Sequence, residues 1–164
     1  MFQVQADSLE PYLSFDPQRR EDLDKLVALI RKAAPGLRRY FHTGTPAGEP
    51  GMRMKMIGYG KFQYATRSGT SISWPVIGVA LQRHYISVYV SVTKDGLPIV
   101  RSYAGALGEL RIGRNNFSFE RFSDLRSQSV FELCRQIGKI YQADPQNPIR
   151  YKSERPARRP SAKR

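Results

Sequence analysis

The segment YISVYVSV, residues 85–92, alternates without a break: Ile86, Val88, Val90 and Val92 against Tyr85, Ser87, Tyr89 and Ser91. A repeat of two is the period of a β-strand, whose successive side chains leave on opposite faces. One face of this strand therefore enters a core, and the other carries hydroxyls and phenols. A sheet, not a helical bundle, must organise the chain.

The neighbouring sequence extends that sheet in both directions. SWPVIGVAL, residues 73–81, is apolar almost throughout, as a central strand covered on both faces requires. Before it, Phe62 and Tyr64 alternate with Lys61 and Gln63, and Met52, Met54 and Met56 alternate with Arg53 and Lys55. After it, TKDGLP (93–98) reads as a turn and residues 99–106 as a short helix. RIGRNNFSFERF (111–122) places three phenylalanines among three arginines, which suggests either a base-stacking ribbon or a half-buried strand. It lacks the basic, glycine and aromatic order of a ribonucleoprotein strand. Phe117 and Phe119 fall on one face and Asn116, Ser118 and Glu120 on the other, while Phe122 falls to the turn. The strand is the better reading.

Helices flank these strands. Ser8 or Asp7 can cap a short helix carrying Leu9, Tyr12 and Leu13. Asp16 is a natural cap for a longer one, with Pro17 in the first turn where its missing N–H is no loss. Leu23, Leu26, Val27, Ile30, Ala33 and Ala34 then repeat at helical spacing until Pro35 and Gly36 end the pattern. Val130, Leu133, Cys134, Ile137 and Tyr141 give a last helix one apolar face. Helices grouped on one face of a mostly antiparallel sheet make an α+β two-layer sandwich. The chain reads as a globular domain over residues 1–144 and a basic, proline-containing flexible tail over 145–164.

The charge is the unusual bulk property: 27 basic residues against 14 acidic ones leave a net charge of +13. Such a surplus attracts polyanions. Seven of the basic residues, Arg150, Lys152, Arg155, Arg158, Arg159, Lys163 and Arg164, lie in the tail beside a single acid. No stretch has the apolar length of a membrane span. The beginning of the chain shows no basic region leading into an apolar run, so no secretory signal is expected. One cysteine excludes an intrachain disulfide framework. A cytoplasmic protein is expected.

Signatures of chemistry are sparse. Cys134 sits on an apolar helical face, the place of a packing thiol. His42 and His84 belong to no hydrolase motif, and no paired metal-ligand spacing occurs. The glycines of GTPAGEPGM and GYGKF lack the spacing of a phosphate loop and serve turns instead. Asp16, Glu21, Asp22 and Asp24 could share a hard cation near the start of the long helix. Their alternative role is to favour the helix N-terminus and to pair with Arg19, Arg20 and Lys25.

Between Leu9 and about Tyr141 the order of motifs resembles the YdhG-like domain family of small bacterial proteins. The resemblance rests on the long helix, the Gly44-Thr45-Pro46 turn, and a hairpin with Gly58, Tyr59, Gly60, Phe62, Tyr64, Ser68 and Gly69. Trp74, Pro75, Gly78, the run from Ile86 to Tyr89, Tyr103, Leu107 and Gly108 complete it. The chain departs from that pattern at Gly113-Arg114-Asn115-Asn116 and at Thr70-Ser71-Ile72-Ser73. The resemblance implies an α+β fold with an antiparallel sheet and no established reaction. Some relatives are described as frataxin-like iron chaperones, which would make the four acids an iron site.

These observations lead to three functional expectations. The first is a non-enzymatic domain that binds a small molecule or anion in a pocket of Tyr59, Tyr64, Trp74, Tyr85 and Tyr89, aided by Arg114. The second is association with nucleic acid or another polyanion through the tail. The third is iron binding, the one reading that would require a cofactor or cargo metal.

Overall fold

The computed structural model describes residues 2–46, 48–49, 53–65 and 69–147. In chain order they form α1 (Leu9–Leu13), a 3-10 turn (Pro17–Arg19) running into α2 (Arg20–Ala33), and strands β1 (Arg39–His42), β2 (Met56–Ala65), β3 (Ser71–Leu81) and β4 (Ile86–Val90). A two-stranded ribbon of β5 (Thr93–Lys94) and β6 (Leu97–Pro98) follows, then a 3-10 helix (Ile99–Tyr103). The chain continues with β7 (Arg111–Ile112), β8 (Asn116–Phe119), a 3-10 turn (Phe122–Asp124) and α3 (Ser127–Ala143).

Six strands join in one antiparallel sheet in the order β1-β2-β3-β4-β8-β7, and α2 and α3 pack together against it. The fold is the expected α+β sandwich. Ile86, Val88, Val90 and Val92 are all buried, and Ile86 and Val88 stand opposite Phe119 and Phe117 in the register. Leu23, Leu26 and Ile30 of α2 and Val130, Leu133, Cys134 and Ile137 of α3 share the same core. Each such apolar side chain contributes roughly 1.5–3 kcal/mol of burial free energy.

The helix starts follow their sequence signals in part. Asp16 accepts from the backbone N–H of Gln18 at 3.0 Å, but it caps the 3-10 turn and not α2 itself. Arg19 turns inward, bonding Asp16 at 2.7 Å and donating to the Tyr85 carbonyl at 2.8 Å, and so ties the start of α2 to the approach of β4. No helix is long and apolar enough to cross a membrane among the described residues.

Several expectations change. Met54 does not lie in a strand and Met52 falls outside the described residues; β2 begins at Met56. Just before it, Lys55 donates from Nζ to the Ala6 carbonyl at 2.7 Å and accepts at its own carbonyl from Tyr12. Those bonds draw the chain to the N-terminal segment instead of to β1. TKDGLP closes a true hairpin, with Asp95 and Gly96 both at positive φ as a type I′ turn demands. RIGRNNFSFERF is two strands, because Gly113 donates to Asn116 at 2.8 Å and folds β7 back on β8. Ser118, expected on the polar face, is buried, since it shares a 2.8 Å hydroxyl–hydroxyl bond with Ser87.

The globular part runs past the boundary read from the sequence. Asn147 accepts from the Thr93 N–H at 2.9 Å and donates from its side-chain amide to the Thr93 carbonyl at 3.1 Å. The seven basic residues Arg150, Lys152, Arg155, Arg158, Arg159, Lys163 and Arg164 lie outside the described residues.

Candidate functional site

The pocket expected from Tyr59, Tyr64, Trp74, Tyr85, Tyr89 and Arg114 does not form as one unit. One row of the sheet reads Tyr40, Gly58, Gly78, Tyr89 and Asn116 across five strands. The next row reads Arg39, Tyr59, Ile77 and Val90. Adjacent positions point to opposite faces, so Tyr59 lies on the helix side and Tyr89 on the other. Tyr85 lines a separate cleft of about 440 Å³ with His84 and Arg111, whose guanidinium sits 5.9 Å from its ring centre. Trp74 is wholly buried against His42, and Arg114 is exposed in the β7–β8 turn. Tyr64 packs on Phe62 at 6.2 Å between ring centres.

What the sequence did not single out is the strand RYFH. Its alternation sends Arg39 and Phe41 towards the helices and Tyr40 and His42 to the open face. Tyr40 can lie flat there because its partner across the register is a glycine: a Cβ on Gly58 would stand 2.5 Å from the ring. A side chain on Gly78 would likewise strike Met56. Glycine inside a strand marks such close approach. His42 then meets the Trp74 ring edge-on, with centres 5.2 Å apart, and the Tyr40 ring at 6.3 Å. Lys61 places its ammonium 4.3 Å from the Tyr40 ring centre, a cation–π contact.

Tyr40, His42 and Lys61 line a cleft of about 320 Å³ with Glu49, Ser71 and Ser73. The Tyr40 hydroxyl and His42 Nε2 are both buried and have no hydrogen-bond partner among the described residues. Burial pushes the Tyr40 hydroxyl up, and burial together with the Lys61 charge holds His42 below the usual imidazole range. The imidazole is thus neutral near pH 7 and offers one nitrogen as donor or acceptor. The cleft therefore brings together a cation, a neutral imidazole, a phenol and the carboxylate of Glu49.

The helix side of the same edge carries a second unfinished group. The Tyr59 hydroxyl is buried without a partner among the described residues, beneath a cleft of about 320 Å³ that Arg31, Arg38 and Arg39 enclose.

Elsewhere the candidates are occupied by structure. Asp16 pairs with Arg19 at 2.7 Å, Glu21 with Lys25 at 2.9 Å and Asp24 with Arg20 at 3.0 Å. Asp22 accepts from the Phe122 N–H at 3.1 Å. Each acid is engaged separately, and no group of three or more His, Cys, Asp or Glu could hold a metal ion among the described residues. Cys134 is enclosed in the core, where burial pushes its thiol up to about 12. It is on the helix side, away from the imidazole of His42.

No family model, curated protein or solved structure matches the chain.

Proposed function

We propose that the chain is a YdhG-like binding domain of the cytoplasm, and that it holds a small anionic organic molecule, without reaction, in the Tyr40–His42 cleft. The observation that carries this reading is the pair of buried polar atoms, Tyr40 Oη and His42 Nε2, that have no partner among the described residues, beside the Lys61 ammonium. Leaving a buried polar group unpaired costs about 1–3 kcal/mol. Two such costs at one cleft make sense when a ligand removes them on binding. Lys61, whose ammonium lies over the Tyr40 ring, favours an anionic ligand beside those two atoms, and Glu49 and Ser73 complete the polar lining.

Native mass spectrometry of the purified protein, followed by NMR titration with malonate, succinate and citrate, tests it. The reading expects a retained small molecule, or saturable shifts of the His42 ring that Tyr40→Phe weakens several-fold. A protein that carries no adduct and shows no shift with any of the three contradicts it.

A second reading, association with nucleic acid through the basic residues of 148–164, is supported by the charge distribution of the sequence. Its binding should fall steeply with added salt. Unchanged DNA and RNA affinity at low salt after deletion of 148–164 would remove it.

A further inference from the structure

We infer that the cleft between the end of α2 and the start of β1 is a phosphate-monoester site, with Arg31, Arg38 and Arg39 around the anion and the Tyr59 hydroxyl beneath it. It is independent of the Tyr40–His42 cleft, because consecutive residues of β1 serve opposite faces of the sheet.

The local sequence assembles this site compactly. Arg31 lies in the last turn of α2, and the chain leaves the helix through Pro35 and Gly36. Buried Leu37 then anchors the turn, and the Arg38 carbonyl accepts from Gly60 N–H at 3.0 Å, fixing the entry into β1. Arg39 stands opposite Tyr59 in the register. Three arginines thus line one cleft together with Pro35, Leu37 and Tyr59 among the described residues.

None of the three arginines has an ion-pair partner among the described residues, whereas Arg19, Arg20, Arg121 and Arg135 are each paired with an acid. Glu10, whose carboxyl feels the Arg39 charge, is already bonded to Arg20 and Ser14. The negative end of α2 amounts to about half a charge, too little to balance three cations.

Tyr59 is 1% exposed, and its hydroxyl has no hydrogen-bond partner among the described residues. Burial pushes it up while the charges of Arg39 and Arg31 pull it back, so both guanidinium groups lie within electrostatic reach of the hydroxyl. A buried phenol with a free O–H beneath a cationic rim is a donor in want of an oxyanion.

The donor set selects the class of anion. Guanidinium forks pair bidentately with phosphate or carboxylate oxygens. Three forks and a phenol exceed what the two oxygens of a carboxylate accept, but they suit the three terminal oxygens and double charge of a phosphate monoester. A cleft of this volume admits a small phosphorylated molecule and leaves no room for a base pair.

Titration of the full chain with inorganic phosphate, glycerol 2-phosphate and dimethyl phosphate, read by calorimetry and ³¹P NMR near physiological salt, decides the matter. Saturable binding of the first two is expected, with dimethyl phosphate, a monoanion, weaker. Tyr59→Phe, which keeps the ring and the packing, should weaken glycerol 2-phosphate by about tenfold or more, the lower end of the effect of one charge-assisted hydrogen bond. Arg31→Gln with Arg39→Gln should weaken it more than about thirtyfold. Arg158→Gln with Arg159→Gln, in the tail, should leave it unchanged. Absence of saturation in the native chain, equal affinity for dimethyl phosphate, or affinity indifferent to Tyr59 and the paired arginines would overturn the inference. Loss with the Arg158 and Arg159 changes instead would assign the phosphate to the basic tail and likewise overturn it.

Discussion

Tyr12 and Tyr59 are both phenols shut inside one core, and the two ends of the sheet they serve are finished differently. The Tyr12 hydroxyl donates to the Lys55 carbonyl at 3.0 Å and accepts from the Leu81 N–H at 2.8 Å, closing the end where β2 begins and β3 stops. Burial pushes it up to about 12, so it stays protonated and keeps both bonds. At the β1 edge the hydroxyls of Tyr40 and Tyr59, one on each face, bond nothing among the described residues. The same side chain is therefore mortar at one end and an open socket at the other. The difference separates polar groups that the fold satisfies from those left for something else.

The satisfied end of the sheet is the more sensitive to mutation. Tyr12→Phe removes two bonds and strands the Leu81 N–H, so equilibrium unfolding should show a loss of about 3 kcal/mol, the largest effect expected here. Gly58→Ala comes next. Its Cβ collides with the Tyr40 ring, and displacing that ring should cost about 2 kcal/mol and close the open-face cleft. Thermal unfolding and the His42 ring shifts would report both consequences.

Ser87→Ala is smaller. It leaves the buried Ser118 hydroxyl alone and should cost about 1 kcal/mol, while adding Ser118→Ala should restore part of that loss. A fully additive pair would show that the two hydroxyls do not depend on each other.

The smallest effect is a pH dependence. Because the folded state holds His42 below its ordinary value of 6.5, the unfolded chain binds the proton more readily. The His42 contribution is complete above the unfolded value and is lost as pH falls from there through the folded one. His42→Phe should flatten that part of a stability–pH profile.

Local pattern revealed the scaffold better than the site. The buried face of Ile86, Val88, Val90 and Val92 and the helical spacing of Leu23 to Ala34 both survive in the structure, although Ser87 and Ser91 on the other face of that strand are buried as well. Ser118 could not be placed from its own strand, since its burial depends on Ser87, thirty-one residues away. The two clefts are less legible still. They require β1 to pair with β2 in a register that sets Tyr40 over Gly58 and Arg39 beside Tyr59. Only the run Arg38-Arg39-Tyr40-Phe41-His42, basic and aromatic at once, and a glycine inside strand GYG hinted at them. The aromatic pocket failed for the same reason: aromatics close in sequence alternate between faces.

Equilibrium unfolding of Tyr40→Phe and Tyr59→Phe beside the native chain tests the contrast most directly. Removing a hydroxyl that bonds nothing should leave stability unchanged or raise it by up to about 1 kcal/mol. A loss in either variant comparable to that of Tyr12→Phe would mean that the hydroxyl is already paired within the fold, and the β1 edge would be as finished as the other.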